Sequence, residues 1–137
     1  LSAIKAINLL SDKSIKTLEE EWARYKYLVL EHCQKSYNEI RSLLKDKDAY
    51  PVIEFYEILD KALEKEVSPN NALNGAQHIW GYFRKKTSEK EKIKIQKEMD
   101  LVSEGKSPLR LKKILWELSN EFEENYLLNS LYFKDVM

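Results

Sequence analysis

Helix start signals punctuate this chain from end to end, and they constrain its fold more than any other feature. Thr17-x-x-Glu20 and Ser88-x-x-Glu91 are capping-box patterns, in which a hydroxyl and a carboxylate satisfy the exposed N–H groups at a helix start. Ser68-Pro69 and Ser107-Pro108 place proline at a first helical position, where its missing N–H costs nothing. Pro51 opens a further segment, and Gly105 stands where the helix begun at Ser88 should close. The pattern predicts helices near residues 2–12, 17–32, 34–46, 51–66, 69–86, 89–104, 108–120 and 122–130, with each end uncertain by about two to four residues. Three glycines and three prolines in 137 residues are too few for the turns of an all-β protein. The expected fold is all-α: a single compact domain, 1–137, of about seven to eight helices in an orthogonal, irregular bundle. Within it, residues 1–16 read as an N-terminal helical extension and 17–137 as the core.

An apolar content of 43% supplies one hydrophobic core, and no repeat, low-complexity tract or linker marks a boundary. Lys plus Arg and Asp plus Glu number 23 each, so any polyanion must be met by a local patch, not by net charge. The one cysteine, Cys33, excludes an internal disulfide framework and every cysteine-rich zinc pattern, and suits a reducing cytoplasm. No apolar run reaches the length of a membrane span and the N-terminal residues carry no signal-peptide pattern. A cytoplasmic location with no membrane contact is the expectation.

Chemistry concentrates in NGAQHIWGYFRK, residues 74–85. At 100° per residue, Asn71, Asn74, His78, Gly81, Tyr82 and Lys85 share one arc, while Ala72, Leu73, Ala76, Ile79, Trp80 and Phe83 fill the other. A solvated face would carry Glu and Lys, whereas amides, imidazole, phenol and a bare glycine suit close approach by a partner. Asn74 and Tyr82 flank His78 at i−4 and i+4, placed to orient its ring. On the preceding amphipathic segment Lys26 interrupts the stripe of Trp22, Val29, Leu30 and Cys33. Either its stem lies along apolar surface with the ammonium in water, or the ammonium is desolvated and aimed at an anion. His32 borders the same stripe, as a hydrogen-bonded structural residue or as a ligand.

Other chemistries are poorly served. Two histidines and one cysteine lack chelating spacing, so neither metal nor cofactor is expected. Cys33 lacks a base, since His32 points about 100° away on a helix. The three glycines form no phosphate loop. Of two basic clusters, Arg84-Lys85-Lys86 suits a helix C-terminus and Arg110, Lys112 and Lys113 suit a solvated face. Converging with Lys26 beside Tyr82 and Trp80, they would instead offer cations and stacking surfaces, as single-stranded or looped RNA requires.

Two stretches, WARYKYLVLEHCQKSY at 22–37 and NGAQHIWGYF at 74–83, resemble the signature segments of the bacterial YbgA-like family, a domain of unknown function. Lys26, His32, Tyr37, Asn74, Gln77, His78, Gly81, Tyr82 and Phe83 match, and weaker likeness extends through Pro108, Leu109, Tyr126, Leu127 and Tyr132 to cover about residues 20 to 135. Tyr25 stands where that family has His, and Cys33-Gln34 where it has Ser-Pro, which would remove a helix cap. Members also occur fused behind desulfidase-like domains that act on thiolated uracil or uridine. The resemblance implies a tRNA-holding or other structured-RNA-holding module with a desulfidase-like partner domain. The single cysteine leaves this chain without ligands for an iron-sulfur cluster of its own.

The expected site therefore lies between the helices around residues 22–32 and 74–85. Lys26, Lys85 and Arg84 would meet phosphate, while Asn74, Gln77, His78 and His32 would hydrogen-bond and Tyr82 or Tyr25 would stack. Two rivals remain: an enzyme using His78 as general base beside Lys26, with no complete catalytic set, and an interaction module using residues 1–10 or 132–137 as its adhesive element.

Overall fold

The computed structural model describes residues 15–137, all of whose regular structure is helical. In order these are α1 (Ile15–His32), α2 (Gln34–Leu43), α3 (Val52–Leu63), α4 (Pro69–Trp80), α5 (Glu89–Ser103), α6 (Leu109–Glu121), α7 (Asn125–Leu128) and a closing 3-10 turn, Leu131–Phe133. The helix expected at 2–12 lies outside the described residues. Among those described, no helix is long and apolar enough to cross a membrane.

The capping signals largely hold, with instructive exceptions. At Ser88 both halves of the capping box form, and Ser68 accepts from the Asn71 N–H with Pro69 behind it. Gly105, at φ 96°, closes α5 while the Lys106 N–H reaches back to the Leu101 carbonyl, the doubled-back ending that a residue without Cβ adopts at least cost. Thr17 is no cap, because helix already runs from Ile15. Pro108 sits one residue earlier than expected, as the cap residue itself, with Ser107 Oγ accepting from Leu109 N–H. The 69–86 segment stops as α-helix at Trp80 and continues as overlapping turns from Ile79, Trp80 and Phe83 carbonyls, and 122–130 shortens to four helical residues.

Between α1 and α2 the chain breaks at one residue, Cys33, in extended geometry. Its sulfur accepts from the Ser36 N–H at 3.4 Å and receives the Lys65 ammonium at 3.3 Å, so the cap that a serine would give is kept by a thiol.

Helix α1 is the hub, packing on α4, α2, α3 and the closing turn, while α4 also contacts α5 and α6. Leu18, Val29, Leu30, Ile40, Phe55, Ile79, Phe83, Leu115, Tyr132 and Phe133 are fully withdrawn from water. Burying each large apolar side chain contributes about 1.5–3 kcal/mol, which sets the layout of the bundle. Tyr132 and Phe133 are core residues, so the tail expected to act as an adhesive element instead seals the domain. Apolar side chains of that size are held inside because they border α1, α6 and each other.

One expectation inverts. Lys112, read as part of a solvated basic face, is buried and its ammonium lies 2.6 Å from Glu31 Oε1 and 3.2 Å from the Tyr132 carbonyl, above the Tyr132 ring. Arg110 pairs with Glu98 at 3.2 Å while its side chain stays mostly exposed, and among the described contacts neither it nor the exposed Lys113 joins Lys26. The expectation set Lys112 opposite Leu111 and Leu115, yet all three are buried, and a lysine enters such a seam only when a carboxylate waits there. Burial raises the Glu31 carboxyl above its ordinary range against the pull of Lys112. Gly75 makes this junction possible: a Cβ there would stand 3.3 Å from Glu31 Cβ and 3.6 Å from the Tyr132 ring.

Two substitutions test this layout. Cys33→Ser should keep stability within about 0.5 kcal/mol while Cys33→Ala loses about 1 kcal/mol, measured by urea unfolding. Lys112→Ala should cost about 3–5 kcal/mol by stranding a buried carboxylate, and adding Glu31→Gln should return a large part of that loss; equal stability of single and double variants would contradict the pairing.

Candidate functional site

Along α4 the polar residues are spaced 3, 4 and 4 apart, and each meets a group on α1 or α2. Asn71 donates to the His32 carbonyl at 3.4 Å, Asn74 to Gln34 Oε1 at 2.6 Å, and the His78 ring sits 6.5 Å from that of Tyr37. Tyr82, just past the helix, shares a 2.8 Å hydrogen bond with the hydroxyl of Tyr27. The arc that looked like an open recognition face is thus in part a polar seam between helices. Asn71 has a plain structural reason: α1 ends at His32, and a terminal carbonyl needs a donor.

Carbonyl oxygens only accept, so both imidazoles have a fixed donor atom. His78 Nδ1–H donates to the Asn74 carbonyl at 2.9 Å, and His32 Nδ1–H to the Lys65 carbonyl at 2.6 Å. The backbone of Asn74, not its side chain, orients His78, and Tyr82 is engaged elsewhere. His78 is exposed and its Nε2 is left outward; His32 ties the end of α1 to the α3–α4 connection.

At the upper end of the seam four phenols gather from four elements. Tyr27 of α1 and Tyr82 meet edge to face at 6.2 Å, and Tyr82 stacks on Tyr126 of α7 at 6.5 Å and 15°. Tyr37 of α2 carries the Arg41 guanidinium over its ring at 5.7 Å, one helical turn away on the same helix. Lys26 lies against this wall, its ammonium 5.3 Å from the Tyr27 ring centre and 5.9 Å from that of Tyr126. Burial first, and the Arg41 charge second, hold its ammonium below the ordinary lysine range. Among the described residues no carboxylate pairs with Lys26 or Arg41.

The structure thus brings Lys26, Tyr82, His78 and Asn74 around one tyrosine cluster. Gln77, Arg84 and Lys85 are exposed, and among the described contacts none joins them to it. The turns after Trp80 explain this for Arg84 and Lys85, whose helical angle was assumed to continue. Tyr25 is half-buried and lies near enough to Tyr56 of α3 to act on its phenol, and among the described contacts none joins it to the cluster. Sequence reasoning missed Tyr27, Tyr37, Arg41 and Tyr126 as site members. The i, i+4 spacing of Tyr37 and Arg41 was a usable cation–π signal, whereas the approach of Tyr126 depends on how α7 folds back.

Five of the eight tyrosines, Tyr27, Tyr37, Tyr56, Tyr126 and Tyr132, have phenols raised above the ordinary value, each first by burial. A raised folded pKa of a phenol gives stability that is intact below the unfolded value near 10 and lost as pH climbs through the folded one. An ultraviolet titration should therefore show only a minority of the eight ionising near pH 10, the rest following with cooperative alkaline unfolding. Eight ordinary phenols ionising in a folded chain would contradict the cluster.

No curated protein and no solved structure matches the chain. A family profile does, over residues 26–136: the one described as a protein of unknown function, DUF1722. It begins at Lys26 and ends beyond the buried tail, spanning every element that forms the tyrosine cluster. The chain belongs to the DUF1722 family.

Proposed function

We propose that this domain is a nucleic-acid-binding accessory module that holds structured RNA, with tRNA as the leading class, at the cluster of Lys26, Arg41 and the four tyrosines. The observation that carries the reading is Lys26: a half-buried cation lying against aromatic rings, beside a second cation and paired with no carboxylate among the described residues. Withdrawing an ammonium from water without a counter-charge is costly, and a phosphate removes that cost. Aromatic faces beside it serve unstacked bases of any sequence. His78 Nε2 adds a hydrogen-bonding group at the margin, and the exposed Gln77 amide would be met only by a ligand that extends beyond the cluster. In keeping with the YbgA-like resemblance, the module would present RNA to a desulfidase-type partner domain.

An enzymatic role for His78 has less support, because its ring is exposed and its Nδ1 serves the helix backbone. Titrating the chain with tRNA at two salt concentrations tests the binding reading. Affinity should fall with a log–log slope of roughly 0.7–0.9 per phosphate neutralised, and Lys26→Ala should reduce that slope by about one. Salt-independent binding, or none at low salt, rejects it.

A further inference from the structure

The first half of α1 and the end of α2 form an open groove of about 370 Å³ lined by Trp22, Arg41, Leu44, Lys45 and Tyr126 together with Glu19 and Lys47; Lys26 does not line it but reaches its edge through Tyr126. Its volume is that of a small-ligand site. Three cations line it against one carboxylate, and Lys47 is spent on Glu19 and the Leu44 carbonyl, both at 2.9 Å. Two other grooves differ: one of 110 Å³ holds Lys94 among three glutamates, and one of 270 Å³ is charged nearly evenly, with three lysines and two glutamates. The groove beside Lys26 thus carries the largest positive excess of the three, two cations beyond its Glu19–Lys47 pair, beside an apolar floor.

We propose that this groove is a mononucleotide-sized subsite, with one phosphate held between Lys26 and Arg41 and the attached nucleoside lying on Trp22, Leu44 and the exposed ring of Tyr126. The proposal deepens the RNA-binding reading and rests on it for the source of the nucleotide. Three geometric facts support it. Tyr126 is common to both arms, since it lines the groove with Arg41 and carries Lys26 at 5.9 Å. Tyr126 is 40% exposed although it stacks on Tyr82, so part of its ring remains open to a ligand. Arg41 is exposed and lies over the Tyr37 ring, which leaves its donors without a carboxylate partner among the described residues. Burial, and after it the Arg41 charge, lowers the proton affinity of Lys26, a cost that an anion between the two cations reverses.

Calorimetry on the whole chain with uridine 5′-monophosphate, uridine and inorganic phosphate separates the parts of this claim. The monophosphate should bind about tenfold or more tighter than either fragment, and Lys26→Gln and Arg41→Gln should each weaken it about tenfold or more, with folding checked by circular dichroism. Lys97→Gln, on the exposed side of α5, should leave it unchanged. Equal affinity for phosphate and monophosphate overturns the nucleoside half, and insensitivity to Arg41→Gln overturns the phosphate clamp. If tRNA binds but no monophosphate does, the groove proposal fails while RNA binding stands. If the monophosphate binds and tRNA does not, the subsite stands and the RNA reading fails.

Discussion

The close crossing of α1 over α4 at Gly75 is the contact on which the remaining geometry depends. With any side chain at 75, Glu31 Cβ would be met at 3.3 Å, and Glu31 cannot retreat because its carboxylate is fixed to Lys112. Overpacking such a junction costs about 1–3 kcal/mol, but the geometric consequence is the larger one. Separating the two helices would pull Tyr27 from Tyr82, and with it the wall on which Lys26 lies. The buried ion pair and the half-buried cation thus belong to one construction. Glu31 and Lys26 sit on opposite edges of α1, one locking the helix inward and the other presenting its outer end.

Such a lock contributes little by its own energy. Replacing a buried pair by apolar groups is often neutral, so its value is better sought in specificity of register. Lys112 reaches Glu31 on α1 and the Tyr132 carbonyl at the same time, tying α6, α1 and the closing turn into one arrangement. Glu31 Oε2 and the Tyr132 hydroxyl have no hydrogen-bond partner among the described residues, so this junction is held together without being fully satisfied.

Much of the fold was legible because caps are local: Ser68, Ser88 and Gly105 act within a few residues of where they stand. Cys33 was misread although its cap is equally local, because a thiol was not counted as an acceptor for the Ser36 N–H; only its second contact, with Lys65 32 residues away, lay beyond sequence reasoning. The polar arc of α4 was correctly traced and incompletely interpreted. Periodicity reports which residues share a side, and both a ligand and a neighbouring helix end satisfy amides on that side. Lys112 shows the same limit with charge. Its charge put it on a solvated face, and only Glu31, 81 residues away, makes its burial tenable. Four of the six cluster residues, Lys26, Tyr27, Tyr37 and Tyr82, stand on the two signature segments, of which Lys26 and Tyr82 were read as site members; Arg41 and Tyr126 came from tertiary placement.

Net charge was the least informative quantity in the sequence, and the ion-pair arrangement explains why. Equal numbers of cations and carboxylates give zero in total, yet Lys112, Arg110, Lys86 and Lys47 are each committed to a glutamate, whereas Lys26 and Arg41 are not. Charges farther apart than about 8–10 Å are largely screened at physiological salt, so a ligand at the tyrosine wall responds to these local leftovers and hardly to the distant sum. The desolvated position of Lys26 strengthens that local field further, because screening ions and water reach it from fewer directions. A neutral protein can therefore hold an anion when its pairings are uneven, and here the uneven part coincides with the aromatic surface and the groove beside it.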